Sequence, residues 1–314
     1  MIRGNSELGR LEKEACLSLD WVSARLESFS PIRGRKFSEA RIKAFAELAI
    51  LYAWLHRSGQ PLISRYLPAL ENFIATECSK PSFAELARKR PHLAFPCLVP
   101  YLMLRIAGHR DSFYEQTIAR VQEFGHFCVS EVVPYRTLER EYVLWTAGVL
   151  PKEPAWLRLY RGTSLHSCRS SLFMDDEAAY SVTHTLFYLT DFGYKAFPFA
   201  NGSARRAADV VESLLLHYWR VGHWDLVGEL LTNLNCLGQR GSVIYSGAAE
   251  AFSRVRLPDG AVPPVRRESP ATTRRSSPAP TGAFWRFYHS TLVSILHCGT
   301  AIHCILKRGH DTNA

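Results

Sequence analysis

The sequence lacks the motifs that hold common cofactors and nucleophiles. It contains no Walker-type or dinucleotide glycine loop and no Gly-x-Ser-x-Gly, so nucleotide-dependent redox chemistry and serine hydrolysis have no support. The pairs His297-Cys298 and His303-Cys304 lie six positions apart, whereas two helical ligands of one ion lie four apart. We therefore expect no metal site and no cofactor.

Long apolar runs and closely spaced cysteines are also missing. The eight cysteines are widely scattered with no Cys-x-x-Cys, which predicts reduced thiols that pack as small hydrophobic side chains. The longest apolar stretches, residues 44–55 and 290–306, contain charged, His or Cys residues or are shorter than the roughly 18 residues of a membrane span. Residues 1–5 show no signal-peptide pattern. These features predict a soluble cytoplasmic protein with no membrane partner.

The charge balance is basic, with 38 Lys and Arg against 29 Asp and Glu and a net charge of +9. Much of the excess lies in or just before one Pro/Ser-rich stretch, at Arg254, Arg256, Arg266, Arg267, Arg274 and Arg275. No stripe of Lys and Arg interleaves with aromatic residues, so nucleic acid is not an expected partner. The excess is compatible with an acidic protein or an anionic substrate.

Helical periodicity dominates the patterns that are present. Apolar residues recur at helical spacing in residues 45–55, 207–218 and 227–237, and alternating strand patterns are almost absent. The sequence predicts an all-α protein of antiparallel helix pairs, in one domain of residues 1–314. No clear repeat of 30–45 residues indicates a solenoid. Aromatic and His residues share stripes with Leu and Val, which favours an α/α toroid with a central pocket.

Several helix ends are visible in the sequence. Ser38 and Asp175 are placed to cap helix N-termini, and residues 82–85 have the shape of a capping box. Gly193 fits a helix C-cap. Residues 257–281, rich in Pro, Ser and Arg, form a predicted mobile loop that acts as a lid or is an insertion, with a helix resuming at Ala283.

The densest polar cluster on an apolar helix lies in residues 180–194. His184, Tyr188 and Asp191 are spaced by four and three, which places them on one helix face lining the pocket, with the hydroxyl of Thr183 nearby. A His and an Asp in this arrangement suit general base catalysis, with the carboxylate orienting the imidazole or holding a cationic substrate group. The alternative is a structural hydrogen-bond network.

Residues 288–291 form a second cluster, Tyr288, His289, Ser290 and Thr291. His289 is a candidate second acid/base group. It could also bind an oxyanion near a helix N-terminus together with Ser290 and Thr291. The alternative is that these hydroxyls cap the helix.

Two further candidates are more isolated. His223 lies with Asp225 at a helix junction, where Asp225 could equally cap the next helix. Arg136, Glu139 and Arg140 share a helix face, which is typical of an ion-pair network, although Arg136 could instead clamp a substrate carboxylate or sulfate.

Three of these segments together resemble a bacterial family encoded among natural-product biosynthesis genes. Residues 179–193, Ala-Tyr-Ser-Val-Thr-His-Thr-Leu-Phe-Tyr-Leu-Thr-Asp-Phe-Gly, resemble one of its motifs. Residues 288–293, Tyr-His-Ser-Thr-Leu-Val, resemble its Tyr-His-Thr-Thr-Leu motif with Ser290 replacing a threonine. The turn in residues 257–263 resembles an Asp-Gly turn of that family and of α/α toroid enzymes such as terpene cyclases and prenyltransferases.

The resemblance extends to the aziridine-forming proteins of azinomycin-type biosynthesis. It implies a cofactor-independent enzyme in which a substrate amine displaces an anionic leaving group such as sulfate, on a small molecule held by an acidic carrier protein. His184 or His289 would remove the amine proton and Asp191 would orient the base or the ammonium. Arg136, Ser290 and Thr291 would receive the anion. The zinc ligands of prenyltransferases have no matching set here.

Two alternatives remain open at this point. One is a non-catalytic helical scaffold that binds a carrier or a partner enzyme as a subunit. The other is a lyase or hydrolase that uses the same pocket. Convergence of His184, Asp191 and His289 within hydrogen-bond reach would favour an enzyme.

Overall fold

A computed structural model describes residues 2–34, 36–127, 131–168, 170–199, 201–265 and 280–311. Helices account for most of these residues. The strands in these ranges are β1 (Ile32–Arg33) and β2 (Lys36–Phe37), which pair antiparallel. The prediction of an all-α protein is confirmed. Most of the predicted mobile loop of residues 257–281, including four of its arginines, lies outside the described residues.

The helices range from single turns to more than 20 residues, and the short ones lie between longer ones. In chain order they are α1 (Ile2–Ser23), α2 (Glu39–Ser58), α3 (Pro61–Ser64), α4 (Leu67–Ser79), α5 (Pro81–Ala84), α6 (Leu86–Lys89), α7 (Ala94–Ile106), α8 (Ser112–Glu123), α9 (Pro134–Thr146), α10 (Trp156–Arg161), α11 (Ser164–Ser167), α12 (Asp176–Leu189), α13 (Asn201–Val221), α14 (Trp224–Cys236), α15 (Val243–Arg254) and α16 (Pro280–Asp311).

Internal contacts divide the chain into two compact units. The small unit is Ser23–Ala155, and the large unit combines Met1–Val22 with Trp156–Ala314. The expectations of a single domain and of a toroid concern the arrangement of the whole chain, and both stay predictions.

In the small unit, α7 is the central helix. It packs against α2, α4, α6, α8 and α9. Its buried residues include Leu98, Tyr101 and Leu102. Pro61 and Pro81 each begin a one-turn helix, because a proline fits the first turn of a helix but cannot continue the preceding one.

The predicted N-caps had mixed outcomes. Ser38 accepts a hydrogen bond from the backbone N–H of Arg41, and Asp175 accepts one from Ala178 over 2.9 Å, so both caps are confirmed. The capping box at residues 82–85 is wrong. The helix there begins one residue earlier, at Pro81, and lasts one turn, which leaves Ser82 inside it.

In the large unit, α14 is the central helix. All thirteen of its residues are buried, and it packs against α12, α13, α15 and α16. Gly228 allows α15 and α16 to approach closely, since a Cβ there would lie 2.7 Å from side-chain atoms of Phe252 and Val293. Burial on every side means that any polar residue of α14 must find its partners within the protein.

Helix α12 ends earlier than the sequence predicts. It stops at Leu189, and the next residues form a single 3₁₀ turn, Asp191–Gly193. The φ angles of Asp191 and Phe192 are 50° and 51°, a left-handed conformation in which a helix cannot continue. Asp191 therefore does not extend the helical stripe of His184 and Tyr188, and Gly193 ends the turn rather than the helix.

The last helix contains a stretch, Gly282–Lys307, that is long and apolar enough to cross a membrane. Of the apolar 18-residue segment within this stretch, 67% is buried inside the protein, as in the core helix of a globular domain. By length and composition alone this is weak evidence for a membrane span.

Candidate functional site

Two buried carboxylates lie on one face of α14. Asp225 and Glu229 are four residues apart, so their side chains lie one turn apart on the same side of the helix. Asp225 is 6% exposed and Glu229 is 2% exposed. Two acidic residues at such burial need specific partners, because desolvation of an unpaired carboxylate is costly.

Glu229 lies between two histidines. Its Oε1 is 3.3 Å from Nε2 of His289 on α16, and its Oε2 is 3.7 Å from Nδ1 of His184 on α12. The hydroxyl of Thr183 also donates a 2.5 Å hydrogen bond to Oε2. This carboxylate therefore joins three helices through polar contacts.

Asp225 is held by a tyrosine and the same histidine. The hydroxyl of Tyr180 donates a 2.7 Å hydrogen bond to Oδ2, and Nε2 of His289 lies 3.5 Å from that oxygen. Among the described residues, the other oxygen, Oδ1, is buried without a hydrogen-bond partner. Burial and the Asp225 charge raise the pKa of Tyr180, so its hydroxyl stays protonated and donates.

The pKa values of the two carboxyl groups move in opposite directions. Burial raises the pKa of Asp225, and Glu229 adds to this while His289 opposes it. Burial acts in the same sense on Glu229, but His184, His289 and Thr183 together outweigh it and hold its pKa below the usual value. Glu229 is thus the more acidic of the two carboxyl groups.

The two imidazoles are the parts of this cluster that solvent reaches. The side chains of His184 and His289 are 20% and 26% exposed. Nδ1 of His184 lies 2.8 Å from the backbone carbonyl of Tyr180, one turn earlier on α12. Because a carbonyl only accepts, this contact fixes the proton of the neutral ring on Nδ1 and leaves the basic lone pair on Nε2.

The cluster also contains a set of donor atoms that could hold a metal ion. Asp225, Glu229 and His289 each offer one ligand atom, and these three atoms lie within 4.8 Å of one another. Two carboxylate oxygens and an imidazole nitrogen suit first-row divalent ions.

Several predicted site residues do come together here. His184 and His289 meet at Glu229, and Thr183 contacts the same carboxylate. Tyr188 is buried, with its ring centroid 6.2 Å from that of His184. His223 caps α14 by accepting from the N–H of Leu226, and its Nε2 lies 3.9 Å from Asp176.

Asp191, the predicted partner of the base, lies near the opposite end of α14. In its turn, a Cβ on Gly193 would be 3.5 Å from Sγ of Cys236, the last residue of α14 and seven positions beyond Glu229. Asp191 also raises the pKa of the Cys236 thiol through its charge, after burial as the main cause. The carboxylate nearest to His184 among these contacts is that of Glu229, at 3.7 Å, and a catalytic role for Asp191 stays a prediction.

The predicted position of Ser290 and Thr291 at a helix N-terminus is wrong. Helix α16 begins at Pro280, so these residues lie three turns inside it, and neither anion binding by a helix N-terminus nor capping applies. Ser290 donates to the carbonyl of Val262 over 2.5 Å, and Thr291 accepts from the N–H of Val262 over 3.0 Å. Their hydroxyls anchor residue 262.

Tyr288 and Arg136 are engaged in packing and pairing. Tyr288 is buried and stacks on Phe284 with ring centroids 5.4 Å apart. Arg136 lies in the small unit, where its guanidinium pairs with Glu139 at 2.7 Å and lies over the ring of Tyr135. The ion pair is the one that the helical spacing predicts.

From the sequence, neither Glu229 nor Tyr180 is a candidate, and Asp225 is either a site residue or the cap of the next helix. A signal was present, because an Asp and a Glu four residues apart share a face of a helix whose apolar residues include Val227, Leu230, Leu231 and Leu234. Only the burial of all of α14 makes those two carboxylates unusual, and burial on every side is a tertiary property.

A surface groove lies elsewhere in the large unit, between α1 and α15. Its volume is about 680 Å³, and it is lined by Glu7, Arg10, Arg240, Tyr245, Ser246, Ala249, Glu250, Ser253 and Arg254. Its charges are paired, with Arg240 on Glu7 and Arg254 on Glu250. None of these lining residues is a histidine. We therefore place the candidate chemistry at the cluster of His184, Asp225, Glu229 and His289.

Residues 15–299 match the family described as Domain of unknown function (DUF6895). No curated protein matches the chain, and no solved structure matches it. The family match spans both compact units and includes Tyr180, His184, Asp225, Glu229 and His289. Since it covers most of the sequence, the chain belongs to the DUF6895 family.

Proposed function

We propose that this protein is a cytoplasmic enzyme that transfers a proton from a substrate amine to His184 during a non-redox ring closure. The observation that carries the proposal is the arrangement of His184, a partly exposed imidazole with its tautomer fixed by a backbone carbonyl and with a buried carboxylate 3.7 Å away. An oriented imidazole with a carboxylate behind it is the arrangement of a general base.

The reaction class follows from the motif resemblance and the charges of the site. In the proposed step, the lone pair of a substrate amine attacks the neighbouring carbon that carries a sulfate ester. The N–C bond forms, the C–O bond breaks, and sulfate leaves with the bonding electrons. The proton lost from nitrogen goes to Nε2 of His184, and no oxidant or reductant is required.

The buried carboxylates favour the amino end of the substrate, rather than its sulfate, at this part of the site. Glu229 is held as an anion, and Asp225 lies one turn away on the same helix face. Their negative charge stabilises an imidazolium at His184 as the proton arrives, and it attracts a cationic ammonium group to the site. Holding the amine in line with its leaving group would itself lower the barrier by several kcal/mol, up to about 7–11 kcal/mol in well-oriented systems.

The experiment uses vicinal amino alkyl sulfates, beginning with 2-aminoethyl sulfate, presented free or attached to an acidic carrier protein. Sulfate release is followed by ion chromatography and the organic product by NMR. The wild-type protein is expected to release sulfate and give the aziridine. An alkene or a carbonyl product would instead identify a lyase, and the amino alcohol would identify a hydrolase.

The decisive variants are His184→Asn and Glu229→Gln, each compared with His166→Asn. His184→Asn is expected to lower the rate by about 10²- to 10⁴-fold because it removes the base. Glu229→Gln keeps the shape and removes the charge that orients the imidazole, and a loss of at least about tenfold is expected. The exposed His166 should be replaceable without effect. Unchanged rates in both site variants, with native circular dichroism, would exclude this site.

A further inference from the structure

We infer that Asp225, Glu229 and His289 form a binding site for a first-row divalent cation such as Mn²⁺ or Zn²⁺. The inference goes beyond the proposed function and departs from the expectation, drawn from the sequence, of a site without metal. It concerns the side of the cluster away from His184.

The two distances from the His289 imidazole to the carboxylates fit a shared ion. Nε2 of His289 lies 3.3 Å from Oε1 of Glu229 and 3.5 Å from Oδ2 of Asp225. In a tetrahedral site with bonds of about 2.1 Å, neighbouring donor atoms are about 3.4 Å apart. An ion at this point would take the place of the imidazole proton that now faces the two carboxylates.

One donor carboxylate has a second oxygen without a hydrogen-bond partner among the described residues. Oδ1 of Asp225 is buried and accepts no hydrogen bond from the described residues. A buried carboxylate oxygen without a partner is unfavourable, and such atoms are rare in folded proteins. A cation bound to Asp225 supplies the missing positive charge at this carboxylate.

The surrounding residues are arranged as an outer shell of a metal site would be. Tyr180 donates to Asp225 and Thr183 donates to Glu229, so each carboxylate is oriented by a hydroxyl group. Thr183 bonds Oε2 of Glu229 and leaves Oε1 directed towards His289. Hydrogen bonds of this kind fix the direction of ligand carboxylates in metal proteins.

Burial and access are also compatible with a bound ion. The two carboxylates are almost fully buried, whereas the side chain of His289 is 26% exposed. An ion can therefore reach the site from the imidazole side and is then shielded from water by α12, α14 and α16.

The experiment measures metal binding alone, without a substrate. Protein freed of metal by chelator dialysis is titrated calorimetrically with MnCl₂ and, separately, with ZnCl₂. One equivalent of ion per chain is expected. Asp225→Asn, Glu229→Gln and His289→Gln should each weaken binding at least about tenfold. The control is Asp176→Asn, which changes a nearby exposed carboxylate and should leave the affinity unchanged.

A second measurement uses only the wild-type protein, so it tests the inference even if the variants fail to fold. Diethyl pyrocarbonate modifies accessible imidazoles, and mass spectrometry identifies the modified residues. Zn²⁺ is expected to protect His289 and to leave the exposed His166 reactive. No binding by the wild-type protein, or binding with no protection of His289, would overturn the inference. Because no activity is measured, this outcome is distinct from a failure of the proposed ring closure.

Discussion

The hydroxyl of Tyr180 on α12 donates a 2.7 Å hydrogen bond to Oδ2 of Asp225 on α14. Without this contact, Oδ2 would keep the longer 3.5 Å approach of His289, and Oδ1 already has no hydrogen-bond partner among the described residues. The contact therefore has a consequence for stability that is separable from any chemistry at the imidazoles.

Tyr180→Phe is expected to lower the free energy of unfolding by about 1–3 kcal/mol, because it leaves a buried acceptor unsatisfied. Urea denaturation measures the change. The matched control is Tyr218→Phe, whose hydroxyl bonds Asp176 over 2.8 Å, since the Asp176 side chain is 62% exposed and water can replace the donor. Equal losses in the two variants would contradict the argument.

Gly260→Ala is expected to destabilise the protein by more than about 2 kcal/mol, because two effects add. The φ angle of Gly260 is 91°, and a Cβ there would lie 2.0 Å from the backbone carbonyl oxygen of Leu17. Gly238→Ala is the control, with a φ of 70° and open space around the position. Its only expected cost is that of placing an alanine in a left-handed backbone conformation, about 1 kcal/mol. Thermal or urea denaturation compares the two.

The stability of the protein should fall in acid through His297. Burial, assisted by Arg240, Arg10 and Arg256, lowers the pKa of this buried imidazole to about 3. The unfolded chain binds a proton below its pKa of about 6.5, whereas the folded state does not, so unfolding is favoured as the pH falls from about 6.5 towards 3.

The contribution of His297 to this slope is about 1.4 kcal/mol per pH unit. His297→Gln removes the titrating group, so its stability should depend less steeply on pH between about 6 and 4. Urea midpoints at several pH values measure the slope. Replacement of the exposed His166 by Gln should keep the wild-type slope, and a wild-type slope in His297→Gln would show that another group is responsible.

Arg256→Met should lower the free energy of unfolding by about 1–3 kcal/mol, because it removes a buried guanidinium that bonds Ser18 and Ser294, whereas Glu14 keeps Arg10 as a cationic partner. The Arg256 guanidinium is 5% exposed and contacts Ser18, Ser294 and Glu14. Arg254→Met, two residues earlier, removes a 75% exposed arginine paired with Glu250 and should cost less than about 1 kcal/mol. Chemical denaturation of both variants tests the contrast.

The fold class and part of the site could be predicted from local patterns. Apolar spacing located α2, α13 and α14, and the caps at Ser38 and Asp175 follow from side chains that bond the nearest backbone N–H groups. The meeting of His184 and His289, about a hundred residues apart, was proposed because both lie on apolar helices with polar neighbours, and the structure brings them together at Glu229.

Other features depended on tertiary context. The residue spacing predicts a helical stripe that continues to Asp191. Spacing alone does not reveal that the backbone of residues 191 and 192 is left-handed, which ends the helix before Asp191. Ser290 and Thr291 resembled a helix start because the sequence does not show that α16 begins ten residues earlier. The sequence does not point to Glu229 as a site residue, because an acidic residue in an amphipathic helix normally lies on the side that faces solvent. Helix α14 is buried on every side, so it has no solvent-facing side.

The burial of α14 over its full length constrains how this protein can vary. Its two carboxylates belong both to the core and to the candidate site, so a substitution at Asp225 or Glu229 changes folding and chemistry together. The partly exposed His184 and His289 lie at the edge of that core, where a new side chain disturbs less packing. Substitutions at His184 and His289 should therefore change the substrate specificity at a smaller cost in stability than substitutions at Asp225 and Glu229.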